Sequence, residues 1–344
     1  MDYSQILSQQ FNIKEEYAKN IITLLDDGNT IPFIARYRKE MHGSMDDQLI
    51  REFAEKLEYL RGLDKRRDEI RSLIDAQEKL TDEINLALDK AATLSELEDI
   101  YRPYRPKRKT RASIAKEKGL EPLANDILKQ EKGFDPSKSA VDYIDEEKGV
   151  TSVEDAIQGA MDIIAELVSD NAEIRKRIRN LTNANGVLVS VATDEEKDSV
   201  YKNYYNYKEP VKKIAGHRVL AVNRGEKEGF LKVSVETDSE KPLNSIFRAM
   251  ITDKNQLCSD IIREACTDAY QRLIYPSIER EVRNDLTDTA SENAMKVFAV
   301  NLKQLLMQPP VKGKTVLALD PGYRTGCKTC LLYTSPSPRD TERS

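Results

Sequence analysis

The sequence predicts a mainly α-helical protein with a small β-containing insert, and three observations support this prediction. Apolar residues recur at helical spacing through most of residues 3–181, and helical signal returns from about 243 to 307. Residues 186–236 instead alternate Val and Leu with polar residues, which is typical of strands. Charged residues make up 33% of the chain and hydrophobic residues 39%, a composition that favours amphipathic helices.

The N-terminal helices are predicted from their apolar stripes and their end signals. Residues 3–26 form one or two short helices. Pro32 suits the first turn of the next helix, with Thr30 as its cap. A long helix of near-heptad character follows over 46–79, and Thr81 caps the helix after it.

The next helix, TLSELEDIY, ends at two prolines. Pro103 and Pro106 stop it because proline lacks an amide donor and restricts the residue before it. We therefore expect YRPYRP to be an extended loop. Helical signal resumes at GLEPLANDILKQ and is strong over 153–181.

Strands are predicted in three places. GVLVSVA reads as one strand, and RVLAVNRGEKEGFLKVSVE reads as a β-hairpin that turns between Gly225 and Gly229. KTVLALDPGYRTG is a short apolar run entering a tight Asp-Pro-Gly turn. The Ser- and Pro-rich residues that follow, LLYTSPSPRDTERS, do not continue this pattern, so we expect residues 331–344 to be a non-native, artefact-like tail. The strand would then lack a partner.

Composition narrows the class of protein. No run of about 18 apolar residues exists, so no membrane span is expected. The N-terminus lacks the pattern of a secretory signal, and four cysteines in 344 residues indicate free thiols in the cytoplasm. Two histidines leave little scope for zinc or imidazole chemistry, and we expect neither a metal nor a cofactor. The net charge of −5 means that any nucleic-acid binding must come from local patches.

Positive charge is concentrated in residues 102–118, which we call the basic segment. Eight basic residues stand there against one acid, Glu117, and Tyr101 and Tyr104 lie at its start. Lys and Arg bind phosphates with release of counterions, and aromatic rings stack on bases. The alternative is that these cations pair with acidic helices. We expect Arg102 and Arg105, which lie beside prolines, to be the ones that pack.

Two basic surfaces are therefore candidates for nucleic-acid binding. The candidate residues are Arg36, Arg38 and Lys39 in ARYRKE, and Arg102, Arg105, Lys107, Arg108, Lys109 and Arg111 in the basic segment. ARYRKE could instead be a helix end docked on the first helices. EIRKRIRN (173–180) is expected to be a solvated helix face, and NRGEKEG a hairpin turn.

Candidate chemistry is sparse elsewhere. Cys327 and Cys330 have CxxC spacing, but a single pair without a histidine is weak evidence for a metal or redox site. Cys258 and Cys266 lie in a predicted helix and are most simply buried. Asp320 follows an apolar strand. A hydrolytic site with two metal ions needs several carboxylates, and Asp320 is one, so its simplest role is to cap the turn. We expect no catalytic residue.

Five motifs together resemble the Tex family of bacterial RNA-binding transcription accessory proteins. These are IPFIARYRKE (31–40), LEDIYRPYRPKRKTRASIAKEKGLEPLA (97–124), HRVLAVNRGEKEG (217–229), YPSIEREVRNDLT (275–287) and LALDPGYRTGCK (317–328). The resemblance implies a helical N-terminal region with a helix-turn-helix-like part, then an RNase H-like domain, helix-hairpin-helix elements and an OB-fold. We expect this chain to stop early in the RNase H-like domain.

The resemblance completes the expected organisation. We expect an N-terminal helical domain (1–185), a small β-containing segment (186–240), a helical connector (241–310), the start of an RNase H-like domain (311–330) and the artefact-like tail (331–344). In such a domain Asp320 matches the first-strand carboxylate, which the resemblance suggests is vestigial.

The resemblance implies a non-catalytic protein that binds RNA or DNA in transcription. The alternative is a scaffold that docks on RNA polymerase or ribosome-associated machinery. A metal-dependent RNase H-like nuclease is a remote third possibility, because one carboxylate does not make a two-metal site.

Overall fold

A computed structural model describes residues 2–252, 254–309, 313–322 and 326–333, and within these ranges the protein is mainly α-helical, as predicted. The chain divides into two compact units. The first comprises Met1–Val187, Pro210–Lys212 and Val235–Val282; the second comprises Leu188–Glu209, Lys213–Ser234 and the described residues from Arg283 onward. In the described part of the chain, no helix combines the length and apolar character needed to cross a membrane.

The first unit is built almost entirely of helices. They are α1 (Tyr3–Phe11), α2 (Glu15–Asp26), α3 (Ile31–Tyr37), α4 (Lys39–His42), α5 (Asp47–Asp75), α6 (Asp82–Lys90), α7 (Leu94–Tyr101), α8 (Arg111–Glu117), α9 (Glu121–Lys129), α10 (Pro136–Ala140), α11 (Val153–Asp170) and α12 (Ala172–Asn185). Of the later helices, α14 (Glu240–Met250) and α15 (Gln256–Asp268) also belong to it, and the π-helical turn Ala269–Ile274 leads into α16 (Tyr275–Leu306).

The long helix α5 joins two hydrophobic clusters. Ile50 and Phe53, near its start, are fully buried against α1, α2 and α3. Ile70 and Ile74, near its end, are fully buried against α6 and α7. Asp46 begins the helix by accepting a 2.8 Å hydrogen bond from the Leu49 amide. One amphipathic helix therefore supplies apolar residues to both cores.

The predicted caps are partly right. Thr81 caps α6, accepting a hydrogen bond from the Ile84 amide at 3.3 Å. Thr30 occupies the cap position of α3, but its side chain makes no capping bond. The signal over 153–181 is not one helix: Asn171 separates α11 from α12 and caps α12 through the Ile174 amide at 3.0 Å.

The second unit contains a three-stranded sheet and one helix packed on it. The strands are β1 (Val187–Ala192), β2 (Asn206–Pro210) and β3 (Leu231–Glu236), in the spatial order β2-β1-β3, and the helix is α13 (Gly216–Lys227). Leu188, Val222 and Leu231 form the centre of its core.

The predicted β-hairpin over 218–236 is wrong, because its first half is the helix α13. Val219 and Val222 are buried three residues apart, which is helical rather than strand spacing. Gly225 is not a turn residue; it lies in the helix, where a Cβ would be 2.5 Å from the Leu231 side chain. Only Gly229, with a φ of +80°, makes the turn into β3. Short apolar runs fit both periodicities, so packing on the sheet decided the outcome.

The strand around Asp320 has a partner, contrary to the prediction. β4 (Thr315–Pro321) pairs antiparallel with β5 (Cys327–Tyr333), so that Asp320 lies opposite Lys328 and Thr315 opposite Tyr333. The first three residues of the expected tail, 331–333, thus belong to a strand. Residues 334–344 lie outside the described residues.

The two helical glycines Gly62 and Gly225 are expected to respond oppositely to alanine. A Cβ at Gly62, on α5, would meet no atom within 4 Å, so Gly62→Ala should raise the free energy of unfolding by up to about 1 kcal/mol. Gly225→Ala should lower it by about 1–3 kcal/mol, because the methyl group would collide with Leu231. Denaturant unfolding of each variant measures both values. Stabilisation by Gly225→Ala would contradict the close packing of α13 on β3.

Thiol reactivity should separate the four cysteines into two pairs. Cys258 and Cys266 are fully buried, and burial raises the pKa of both thiols, that of Cys266 to about 12. They should stay protonated at pH 8 and react with Ellman's reagent only after unfolding. Cys327 and Cys330 are exposed and should react at once. Four rapidly reacting thiols in the native protein would contradict the burial of α15.

Candidate nucleic-acid interface

The basic segment is held at both of its ends. Residues 102–104 form a 3₁₀ turn, so the prediction of an extended YRPYRP chain is wrong; proline is compatible with the first turn of a helix. Gln77 donates a 2.9 Å hydrogen bond to the Tyr104 carbonyl. At the other end, Thr110 and Ser113 form a reciprocal capping box at the start of α8. Thr110 also donates to Glu166 at 3.1 Å.

Two cations of the basic segment pair with acidic residues of α11. Arg102 Nε lies 3.2 Å from Asp170 Oδ1. Lys107 forms an ion pair with Asp170, and its Nζ lies 3.4 Å from Glu166 Oε1. The carboxylate of Asp170 is only 12% exposed, so its charge requires these partners. The expectation that Arg102 packs is therefore confirmed, whereas Lys107 was predicted to face a ligand and is instead neutralised.

Four other cations of the basic segment face outward. Arg105, Arg108, Lys109 and Arg111 are exposed, and we call them the outward cations. Within the described residues, none of the four has a carboxylate within ion-pair distance. Burial raises the pKa of the Asp162 carboxyl, and the charge of Arg111, acting at longer range, offsets part of that rise. Arg105 was expected to pack, and this expectation is wrong, because Arg105 is exposed and has no ion-pair partner among the described residues.

The two tyrosines are not equally placed to stack on bases. Tyr101 is 6% exposed in the second hydrophobic cluster, where the Arg66 guanidinium lies 5.7 Å from its ring centre. Tyr104 is half-buried against the same cluster. The prediction that both rings are available for stacking is thus wrong for Tyr101.

The second basic surface lies at the junction of α3 and α4. Arg36 and Lys39 are exposed, while Arg38 is half-buried with its guanidinium 5.3 Å from the Phe33 ring centre. Tyr37 is 64% exposed, and its ring centre lies 5.4 Å from that of Phe33. The surface therefore combines cations with exposed aromatic area.

Two arginines of α12, Arg175 and Arg179, form a buried network that the sequence did not indicate. Arg175, expected on a solvated face, is 3% exposed and donates from Nε to Asp99 Oδ1 at 2.5 Å. Arg179 bridges two carboxylates, with Asp99 Oδ2 at 2.5 Å and Glu281 Oε1 at 2.6 Å. Burial lowers the pKa of Arg179, but its hydrogen bonds to Glu281 and Asp99 stabilise its charged form and raise the pKa above its ordinary value. The one available signal was the position of Arg175 and Arg179, each directly after a buried isoleucine, Ile174 and Ile178.

The carboxylate and thiol candidates do not form a metal site. Asp320 is exposed on β4. Cys327 and Cys330 are exposed on β5, three residues apart, so their side chains point to opposite faces of the hairpin. Across the part of the chain that the structure describes, no three His, Cys, Asp or Glu side chains come together as metal ligands would.

Two family models match this chain. Residues 1–75 match the Tex-like protein N-terminal domain, and residues 131–298 match the Tex central region-like model. The basic segment lies between the two matched ranges.

Whole-protein relatives align with almost the entire chain. The Bacillus subtilis protein YdcI is 45% identical over 95% of this chain and 47% of its own length. The Transcriptional accessory protein Tex of Neisseria gonorrhoeae is 36% identical over 99% of this chain and 46% of its own. The human S1 RNA-binding domain-containing protein 1 is 32% identical over 96% of this chain and 34% of its own length. The chain thus spans less than half the length of these curated relatives.

Removing the shared acceptor of the buried network should strongly destabilise the first unit. Asp99→Asn takes away the charge that both Arg175 and Arg179 contact, and we expect it to lower the free energy of unfolding by about 3–5 kcal/mol. The matched control is Asp26→Asn, which breaks an exposed pair with Arg61 and should cost less than about 1 kcal/mol. Denaturant unfolding compares the two variants; equal costs would contradict a structural role for the network.

Proposed function

Because this chain belongs to the Tex family, we propose that it is part of a non-catalytic transcription accessory factor that binds RNA, and that the outward cations contact the phosphate backbone. The observation that supports this most directly is the division of the basic segment into paired and unpaired cations. The names of two relatives, one a transcriptional accessory protein and one containing an S1 RNA-binding domain, point to the same activity.

The tethering of the basic segment favours binding. Lys107 holds the middle of the loop on α11, and Thr110 holds its end, so Arg108 and Lys109 are presented with little backbone freedom left to lose. Pre-organisation of this kind increases affinity because less conformational entropy is lost on binding. Arg102 and Lys107 are thus positioning residues rather than phosphate contacts.

The outward cations are suited to the backbone rather than to base sequence. Phosphate contacts carry no sequence information, and the same contacts serve RNA and DNA. Arg36 and Lys39 supply a second patch of the same kind. We therefore propose sequence-tolerant binding, in the cytoplasm, as the four free cysteines suggest.

A scaffold role is the second candidate, and the α3–α4 surface is the observation that favours it. Exposed Tyr37 beside Phe33 and Arg38 has the aromatic and arginine content that is enriched at protein interfaces. The partner in this case would be RNA polymerase or ribosome-associated machinery.

We also propose that the β4–β5 hairpin is the start of an RNase H-like domain without catalytic activity in this chain. Asp320 lies on the first strand of the hairpin. Two-metal hydrolysis needs several carboxylates around one phosphate, and Asp320 is a single one.

The neighbouring lysines Lys107 and Lys109 give a matched test of RNA binding. Lys109→Gln should weaken binding of a single-stranded RNA about two- to fivefold in 100 mM salt and reduce the slope of log K against log salt by roughly 0.7, because one phosphate contact is lost. Lys107→Gln should leave the slope unchanged, because its charge is already neutralised by Asp170 and Glu166. Fluorescence anisotropy at several salt concentrations measures both.

The joint variant Arg105→Gln, Arg108→Gln, Lys109→Gln and Arg111→Gln extends the test. It should remove most of the salt dependence, and circular dichroism should confirm that helix content is retained. Unaltered RNA affinity in this variant would refute binding through the basic segment and favour the scaffold role.

A further inference from the structure

A cavity of about 580 Å³ lies in the first unit beside the basic segment. Its size falls within the range of pockets that bind small ligands. Five acidic and six basic side chains line it. Leu94 and Leu273 supply apolar wall, and Ser95, Thr110, Ser169 and Ser277 supply hydroxyl groups.

The charges of the lining do not cancel. Asp99, Glu166, Asp170 and Glu281 are matched by ion pairs with four of the six cations. The fifth acid, Glu98, is bound by Arg66 from outside the cavity, at 2.7 Å. Arg105 and Arg108 remain as surplus positive charge at the cavity wall. The cavity therefore attracts an anion.

A buried guanidinium in the lining has an unused donor. Arg175 bonds Asp99 through Nε and Ser277 through Nη2, but its Nη1 is buried and has no hydrogen-bond partner among the described residues. This nitrogen is closed off from solvent, so Arg175 forms part of the cavity wall rather than a contact with a ligand. The neighbouring Arg102 also responds to this charge: burial, and then the Arg175 guanidinium, hold the pKa of Arg102 below its usual range.

The backbone at this wall of the cavity is also unusual. The turn Ala269–Ile274 is π-helical, and it directly precedes Ser277 and Glu281, which line the cavity. π-helical turns are rare and occur frequently at functional sites, because they shift the direction of the side chains that follow. Ser277 accepts from Arg175 at 3.1 Å, so its own hydroxyl hydrogen is available to a ligand.

We propose that this cavity binds a phosphate monoester dianion, held by Arg105 and Arg108 at its wall. Guanidinium groups suit phosphate oxygens because they donate in a planar fork, and such charge-assisted bonds are strong. The apolar wall at Leu94 and Leu273 leaves room for the group esterified to the phosphate. An RNA strand end and a free nucleotide present the same chemistry. The site shares Arg105 and Arg108 with the proposed RNA surface but does not depend on it.

The test is calorimetric titration of the full chain with inorganic phosphate, with uridine monophosphate and with uridine. Phosphate and the nucleotide should bind, and the nucleotide more tightly, whereas uridine should not bind. Arg108→Gln should weaken nucleotide binding roughly tenfold, since one charge-assisted contact is lost. Lys109→Gln is the matched control, because Lys109 neighbours Arg108 on the same loop but does not line the cavity; it should change binding less than about twofold.

These variants separate the cavity from the RNA surface. RNA affinity should fall in both Arg108→Gln and Lys109→Gln, but nucleotide affinity only in Arg108→Gln. No saturable binding of either phosphate or the nucleotide, or equal losses in the two variants, would overturn the proposal while leaving RNA binding intact.

Oligonucleotides with and without a 5′-phosphate show whether the site binds RNA strand ends or free nucleotides. If the site takes strand ends, a 5′-phosphorylated oligoribonucleotide should bind more tightly than its 5′-hydroxyl counterpart, and Arg108→Gln should abolish the difference. If it takes free nucleotides, the two oligonucleotides should bind equally, and the nucleotide should weaken the binding of both to the same extent, because Arg105 and Arg108 serve both ligands. Both results support a phosphate monoester site.

Discussion

The carboxylate of Asp99 and the two guanidinium groups that share it constrain the rest of the first unit. Asp99 lies on α7, Arg175 and Arg179 on α12, and Glu281 on α16, so that three helices far apart in sequence meet at one set of ion pairs. Buried charges are tolerated only when paired, so the relative positions of these helices have little freedom. The basic segment begins directly after α7, so the start of the segment is fixed by the position of that helix.

The basic segment contains both cations that pair with α11 and cations without a carboxylate partner among the described residues. Arg102 and Lys107 are used to hold the segment on α11, where Asp170 and Glu166 would otherwise be unpaired. The outward cations are left without such partners among the described residues. A mildly acidic protein thereby keeps the surface of this segment positive, and the surplus charge extends to the wall of the neighbouring cavity. In the proposed function, affinity for phosphate comes from the cations that the fold leaves unpaired, rather than from net charge.

Local sequence patterns predicted the helices well and the strands less well. The apolar stripe of α5 and the Thr81 cap are determined by near neighbours, and the structure confirms both. The stretch containing Val219 and Val222 was misread as a strand because a short apolar run fits two periodicities, and only packing against Leu231 selects the helix. The partner of β4 was missed because composition after residue 330 suggested no strand, whereas backbone pairing needs no particular side chains.

The sequence alone determined the helical class, the family and the location of the concentrated positive charge, because each of these depends on residues that are neighbours along the chain. Only the tertiary structure decided which cations are available. Arg102 meets Asp170 across 68 positions, Arg175 meets Asp99 across 76, and Arg179 meets Glu281 across 102. Electrostatic pairing acts through space over a few ångströms, and distances along the chain do not reveal which charges come that close. The distinction between an anchoring cation and a binding cation therefore exists only in the folded protein.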